Sequence, residues 1–341
     1  MCPILTATLL LAASPAPARA PAPVVSPGAL KTFGDWAAGC DNTRRCTLAS
    51  LAPEAGPGQG YTLEIARLAG PDGRFELALG TIGDGPPPTA LRVGTQRFPL
   101  AGALAGTQAQ RIVATLATAR ALTLVGRTGR PLGTVSLVGL SAALRYVDAV
   151  QHRVDTVTAA VAKGRAPATS VPAAPPAPVV HAPVLTGAPA RLSPKQVAAM
   201  KRTARCEAPP SPDLDWSPVV SAVGGGTSLA VLPCSAGAYN VVGALFVVRG
   251  NRVEPARTDA PAGFEATGAD PEIKVPSVVN GSVENGILTS YAKGRGLGDC
   301  GVFQRFAWDG TRLRLIEQAE MSECRGNPDF IRTWTARVER P

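Results

Sequence analysis

The chain has 341 residues, enough for two or three domains of roughly 100–200 residues each. Hydrophobic residues make up 45 % and charged residues 17 %, which excludes disorder throughout; the single apolar run, at the start, excludes a polytopic membrane protein. With 36 Gly and 33 Pro the chain is built for turns rather than for a helical bundle, and its formal charge is +9 with a pI of about 9.5.

Residues 4–13 are apolar but fall short of the ~20 residues that span a bilayer. Ala18-Arg19-Ala20 puts small residues at the two positions a signal peptidase reads. This pattern predicts a secretory signal over residues 1–20, although no Lys or Arg precedes the apolar run, and it places the mature protein in the periplasm or outside the cell. No transmembrane segment is expected in the mature chain. Cys2 would leave with the signal, and six cysteines would remain. An even set in an exported chain points to disulfides, with 15 possible connectivities. Their order falls into three local pairs, Cys40–Cys46, Cys206–Cys234 and Cys300–Cys324. Each of the two longer loops would contribute about 3 kcal/mol if closed. No C-x-x-C occurs and only two histidines exist, which argues against a zinc site; no metal or cofactor is expected.

From residue 31 to 164 the pattern reads as a β-rich N-terminal domain. Tyr61–Arg67 and Arg74–Thr81 alternate around Pro71-Asp72-Gly73 and predict a hairpin. Leu91–Val93 and Gln96–Leu100 flank Gly94-Thr95 and predict a second. Thr107–Gln110 has the spacing of a capping box before the apolar-periodic Ile112–Ala119. Leu122–Val125 and Thr134–Val138 predict two more strands. Leu140, Leu144, Val147, Val150, Val154, Val157 and Val161 then recur at steps of three and four, the signature of a long amphipathic helix capped by Ser141 and ended by Gly164. That stripe either covers the sheet of its own domain or docks a partner.

Residues 165–190 are rich in Pro and Ala with no acid, and predict an extended linker. A second β-rich, disulfide-bonded domain is expected over 191–341. Ser193-Pro194-Lys195-Gln196 is a strong helix start, and the helix should reach about Ala204. Ser228–Leu232, Val241–Val248, Phe303–Trp308, Arg312–Glu317 and Ile331–Val338 predict strands, with Asp309-Gly310 as a tight turn. The expected fold class is thus mainly β with a few helices (α+β): two β-rich domains of antiparallel sheets joined by a Pro/Ala linker.

Few residues point to chemistry. His152 falls on the polar face of the predicted helix and His181 in the linker, and neither has the setting of a catalytic base. No nucleophile elbow, P-loop or H-E-x-x-H is present. Gly224-Gly225-Gly226 lacks a phosphate-binding Lys and reads as a turn. Asp299, Asp309, Glu317, Glu320, Glu323 and Asp329 form one acid-bearing stretch, where a glycosidase-like carboxylate pair would have to be sought. Interleaved arginines make a solvated charged face the plainer reading, and no catalytic residue is assigned. The least ordinary string is Lys293-Gly294-Arg295-Gly296-Leu297-Gly298-Asp299-Cys300-Gly301. Lys293, Arg295 and Asp299 are its candidate binding residues: glycine N–H groups beside cations suit an anion, or Arg295 pairs with Asp299 in a tight disulfide-anchored loop.

The positive charge is spread. Residues 21–163 carry 14 basic and 9 acidic side chains, and residues 191–341 carry 18 and 16. No basic stripe is interleaved with aromatics, so nucleic acid is not an expected partner. Mild attraction to anionic envelope glycans, or an envelope protein as partner, fits better.

Phe33-Gly34-Asp35-Trp36 with Cys40-Asp41-Asn42 and Cys46 resembles the opening of the bacterial family catalogued as domain of unknown function 1176. The stretch from Val135 to Leu144 with Asp148 and Gln151, the string Cys234 and Gly237–Asn240, the loop Gly294–Cys300 and Glu323–Gly326 are similar to it in the same order. The opening also resembles the invasion-associated locus B family, over the first half only. The resemblance implies a periplasmic, disulfide-bearing protein with no established catalytic residue. The expected function is non-enzymatic binding or an accessory role in the cell envelope. The alternatives are an envelope hydrolase using a carboxylate pair, and a secreted enzyme inhibitor or virulence-associated factor.

Overall fold

The computed structural model describes residues 24–341 except 56–59, 101, 103, 211–214 and 269–274. The expected signal segment lies outside the described residues. In chain order, β1 (Lys31–Phe33), β2 (Trp36–Cys40), β3 (Cys46–Ser50), β4 (Tyr61–Arg67) and β5 (Phe75–Thr81) form an antiparallel meander. The turn between β2 and β3 is held by the Cys40–Cys46 bridge and by Asp41, whose carboxylate accepts the N–H groups of Thr43 and Arg45. The hairpin of β6 (Ala90–Val93) and β7 (Gln96–Pro99) turns at Gly94-Thr95. β8 (Leu104–Ala105) then returns to β5 and completes a six-stranded sheet.

The first helix, α1 (Gly106–Leu116), buries Ala109, Ile112, Val113 and Leu116. It starts at Gly106, so Thr107 lies inside the first turn and the expected capping box does not form; Ala105 is the cap, without a side-chain bond. β9 (Ala121–Val125) and β10 (Pro131–Ser136) join β6 and β7 in a four-stranded sheet ordered β10-β9-β6-β7. The second helix, α2 (Leu140–Val150), closes this core, packing Leu140, Leu144 and Val147 with Trp36, Leu48, Leu63 and Ile65. Its cap is Gly139 at φ 92°, not Ser141; a Cβ there would lie 1.8 Å from the Phe33 carbonyl oxygen.

The long helix expected to reach Val161 ends at Val150. His152 and Asp155 take positive φ, and Val154 and Val157 are exposed. Tertiary polar bonds win over the apolar period. The Asp148 carboxylate, 1 % exposed, accepts the N–H groups of Ala160, Val161 and Ala162 and folds that segment back. Gln151 donates to the carbonyls of Arg44 and Arg67, and the fully buried Arg153 donates to those of Leu68 and Gly70. Burial, and Arg153 beside it, lower the Arg67 guanidinium to about 10.

Residues 165–190 are mostly extended yet tied to the body. They contain a 3-10 turn (Ala168–Ser170) and a short strand, β11 (Val179–His181), and they bury Val171, Val180 and Ala182. The third helix, α3 (Pro194–Ala204), opens with a full capping box in which Ser193 Oγ accepts the Gln196 N–H and Gln196 Oε1 accepts the Ser193 N–H.

Two further antiparallel sheets follow. β12 (Val219–Gly224), β13 (Thr227–Ala236), β14 (Val241–Arg249), β15 (Arg252–Pro255) and β16 (Ser277–Val279) make the first, with β16 paired to β14. β17 (Ser282–Glu284), β18 (Ile287–Lys293), β19 (Gly301–Trp308), β20 (Leu313–Met321) and β21 (Ile331–Thr335) make the second in sequence order. The last strand, β22 (Arg337–Glu339), pairs with β11 in parallel. The two sheets enclose a core of Leu229, Val231, Leu245 and Val247 against Leu288, Phe306, Trp308 and Leu315. Asp309 caps the β19–β20 turn by accepting the N–H groups of Thr311 and Arg312, which accounts for that acid. The fold is mainly β, with antiparallel sheets apart from the β11–β22 pair, and three α-helices among the described residues. No helix among these residues is long and apolar enough to cross a membrane.

The chain's two halves meet along β2, β3 and β21. Ala37, Ala49 and Leu51 pack with Cys300, Met321 and Ile331. The loop between β20 and β21 reaches across: Arg325 donates to the carbonyls of Ala52 and Gly34 and pairs with Asp35, and Asn327 donates to the Ser50 carbonyl.

Candidate functional site

A cleft of about 830 Å³ opens where the turn between β13 and β14 meets the ends of β18, β19 and β20. Its walls include Val242, Phe264, Ala292 and Val302. Ala292 stands opposite Val302, and Val302 opposite Glu320, so the three side chains share one face of the second sheet. Glu320 brings a carboxylate into this apolar row. Burial raises its pKa above the ordinary value, and no hydrogen bond or ion pair to its carboxylate forms among the described residues. Glu207 lines the cleft at an exposed position.

The turn wall is fixed by polar bonds. Asn240, buried, donates from Nδ2 to the Lys293 carbonyl at 2.9 Å and accepts the Lys293 N–H at 3.2 Å. Tyr239 donates its hydroxyl to the Gly294 carbonyl at 3.1 Å, which holds the ring at the mouth of the cleft.

Of the three candidate binding residues, Lys293 lines the cleft, while Arg295 and Asp299 are bonded to each other beside it. Arg295 Nε donates to Asp299 Oδ1 at 2.6 Å, and Nη2 pairs with Oδ2. The second oxygen also accepts the Gly326 N–H at 2.7 Å. The Arg295 hydrogen bonds hold the Asp299 carboxyl below the usual carboxylate range. The glycine loop is closed on itself, for Gly294 N–H donates to the Cys300 carbonyl and Gly298 N–H to that of Arg295. Only two of these amides are thereby accounted for within the loop, and Arg295 is engaged by an internal acid rather than presented as a free cation. The Lys293 ammonium lies 5.6 Å from the centroid of the Tyr291 ring. Lys293 stands opposite Gly301, and Gly301 opposite Met321, in the row that alternates with Ala292, Val302 and Glu320. Its charge therefore belongs to the other face of the sheet from the Glu320 carboxylate.

The structure joins Cys40 to Cys46, Cys206 to Cys234 and Cys300 to Cys324. The last pair lines the cleft and anchors the glycine loop. The acids of residues 299–329 are dispersed. Glu317 pairs with Arg305, Glu323 accepts from Thr32, and Asp329 accepts from Thr62. Of the six, Glu320 is the one that lines the cleft. Among the described residues no group of three or more His, Cys, Asp or Glu is placed to hold a metal ion. Phe264 and Glu207 carry no signal in the sequence as site residues, and Glu320 reads there as one of a run of solvated acids.

The chain is 29 % identical over 320 residues to the uncharacterised protein YpfG of Escherichia coli (strain K12), covering 87 % of this chain and 89 % of that one. The crystal structure of the invasion associated protein b from Bartonella henselae matches 36 % of this chain and 99 % of its own, at 17 % identity and a TM-score of 0.24. A family model matches residues 30–337, and the chain belongs to that family, the proteins of unknown function DUF1176.

Proposed function

We propose that this is an exported protein of the cell envelope that binds an envelope component in the cleft beside β18–β20 and performs no chemistry on it. The observation that carries this reading is the cleft itself. About 830 Å³ lies within the ~300–1,000 Å³ usual for ligand pockets, and apolar walls with a few placed polar groups are the usual make-up of such sites. The apolar start of the chain and its three bridges support export to an oxidising compartment. Lys293 forms part of the cleft wall, and the Arg295–Asp299 pair acts on the site by holding the loop that the Cys300–Cys324 bridge anchors. A carboxylate-pair hydrolase needs two acids facing one bond; the cleft wall carries Glu320 in its apolar row and Glu207 at an exposed position, and the binding reading assigns them no joint chemistry. The net charge of +9 favours anionic surroundings for the molecule as a whole, such as an envelope glycan or the acidic face of a protein.

The test is cross-linked co-purification of the mature protein from its native envelope, analysed for proteins, glycans and lipids together. Ala238→Trp serves as the comparison, because Ala238 lies exposed on the cleft wall and an indole there fills the opening. A component recovered with the native protein and lost with Ala238→Trp is the expected result. Equal recovery with both proteins, or nothing above background, would overturn the reading.

A further inference from the structure

We propose that the cleft takes the ammonium end of an amphipathic amine, with Glu320 as its counter-charge; this deepens the binding reading above and rests on it. Three observations converge. The Glu320 carboxylate sits in an apolar row with Ala292 and Val302 and lacks a hydrogen-bonding or ionic partner among the described residues. Glu320 is half-buried, and a carboxylate partly withdrawn from water gains from a cation brought to it, more so in a cleft than at an open surface. The one lysine among the described residues of the cleft wall does not supply that cation, since its ammonium lies over the Tyr291 ring on the other face of the sheet. The remaining charged group on the wall among the described residues, Glu207, is itself acidic, so the described cleft face carries negative charge although the protein as a whole is positive.

The rest of the lining fits the same ligand. Phe264 and Tyr239 bring aromatic rings to the wall, and ring faces attract ammonium groups within about 6 Å. Val242, Ala292 and Val302 offer the surface for an alkyl or other apolar portion. A carboxylate at one end of an apolar slot selects by sign: an amine with an apolar tail satisfies both ends, whereas a fatty acid of the same length sets like charges against each other.

Titration calorimetry of the disulfide-bonded protein near pH 7.5 with octylammonium chloride, sodium octanoate and 1-octanol, each below self-association, separates the possibilities. Octylammonium should bind at least about tenfold more tightly than octanoate or octanol, and Glu320→Gln should weaken it by about tenfold or more. Ala238→Trp, which leaves Glu320 in place, should weaken it as well. Equal binding of octanoate or octanol would overturn the charge assignment while leaving the cleft a binding site. Octylammonium binding unchanged by both variants would place the amine elsewhere and overturn the assignment. Absence of binding by all three probes would also overturn it, and the envelope co-purification would then decide separately whether the cleft holds another ligand.

Discussion

Burial raises the proton affinity of the Glu320 carboxyl, and no donor among the described residues lowers it again. Asp299, in the loop between β18 and β19, shows the opposite: Arg295 and the Gly326 N–H stabilise its charged form and hold its pKa down. The sign of linkage follows for Glu320. Its folded-state pKa is raised, so its contribution to stability is fully present below the ordinary glutamate value of about 4.3 and is lost as pH rises through the folded value. Glu320→Gln is isosteric and always neutral. Without ligand, the variant and the native protein should melt together near pH 4, and the variant should melt higher by pH 7, the gap opening between the ordinary and the raised pKa, where the unfolded carboxyl ionises ahead of the folded one. Thermal unfolding followed by circular dichroism at the two pH values measures this. A variant that melts lower at pH 7 would mean that the carboxylate has a stabilising partner in the folded protein.

At the scale of elements, α2 and the segment after it are governed by Asp148. A carboxylate that is 1 % exposed and accepts three successive backbone N–H groups acts as a staple between the helix and residues 160–162. It is also the acid whose charge favours the ionised forms of the buried Arg67 and Arg153. Asp148→Ala should therefore cost about 3–5 kcal/mol, the range for removing one partner from a buried charged cluster, measured by urea unfolding. A loss below about 1 kcal/mol would show that water replaces the carboxylate without strain. The same residue explains why the sequence misleads here. Val154, Val157 and Val161 continue the helical period, and nothing local announces that residues 160–162 bond back to residue 148. Where the determinant is local the elements are legible: Pro71-Asp72-Gly73, Gly94-Thr95, Asp309-Gly310 and the Ser193–Gln196 box each mark a turn or helix start that the structure contains. The candidate site is legible only in part. Lys293 stands out because it adjoins an unusual glycine string, whereas the setting of Glu320 is assembled from Val242, Phe264, Ala292 and Val302, residues far apart in the chain that become neighbours through sheet pairing.

For the whole molecule, the question is whether the halves unfold separately. The Pro/Ala composition of residues 165–190 suggests a loose tether, but the contacts across the halves are extensive and buried. Asp41, side chain 1 % exposed, pairs with Arg332, and Asn42 exchanges two hydrogen bonds with the backbone of Thr335. Gly28 N–H donates to the Thr333 carbonyl, Asn327 is fully buried against Ser50, and Arg325 meets Asp35 and two carbonyls of the first half. Between these bonds lies an apolar cluster drawn from both halves, with Ala37, Ala49 and Leu51 facing Met321 and Ile331. Exposing that surface and those charges on unfolding either half penalises the other, so the transitions are coupled. Scanning calorimetry should show one endotherm whose calorimetric and van't Hoff enthalpies agree to a ratio of about one. Removing both charged anchors in Arg325→Ala/Arg332→Ala leaves Asp35 and Asp41 without their cations at the seam and should split the endotherm in two, with the disulfides intact. Two endotherms in the native protein would show that the seam contributes less than the halves do alone. Such a result would also loosen the cleft from the first half, because the loop that carries Arg325 also carries Cys324, whose bridge to Cys300 forms part of the cleft wall.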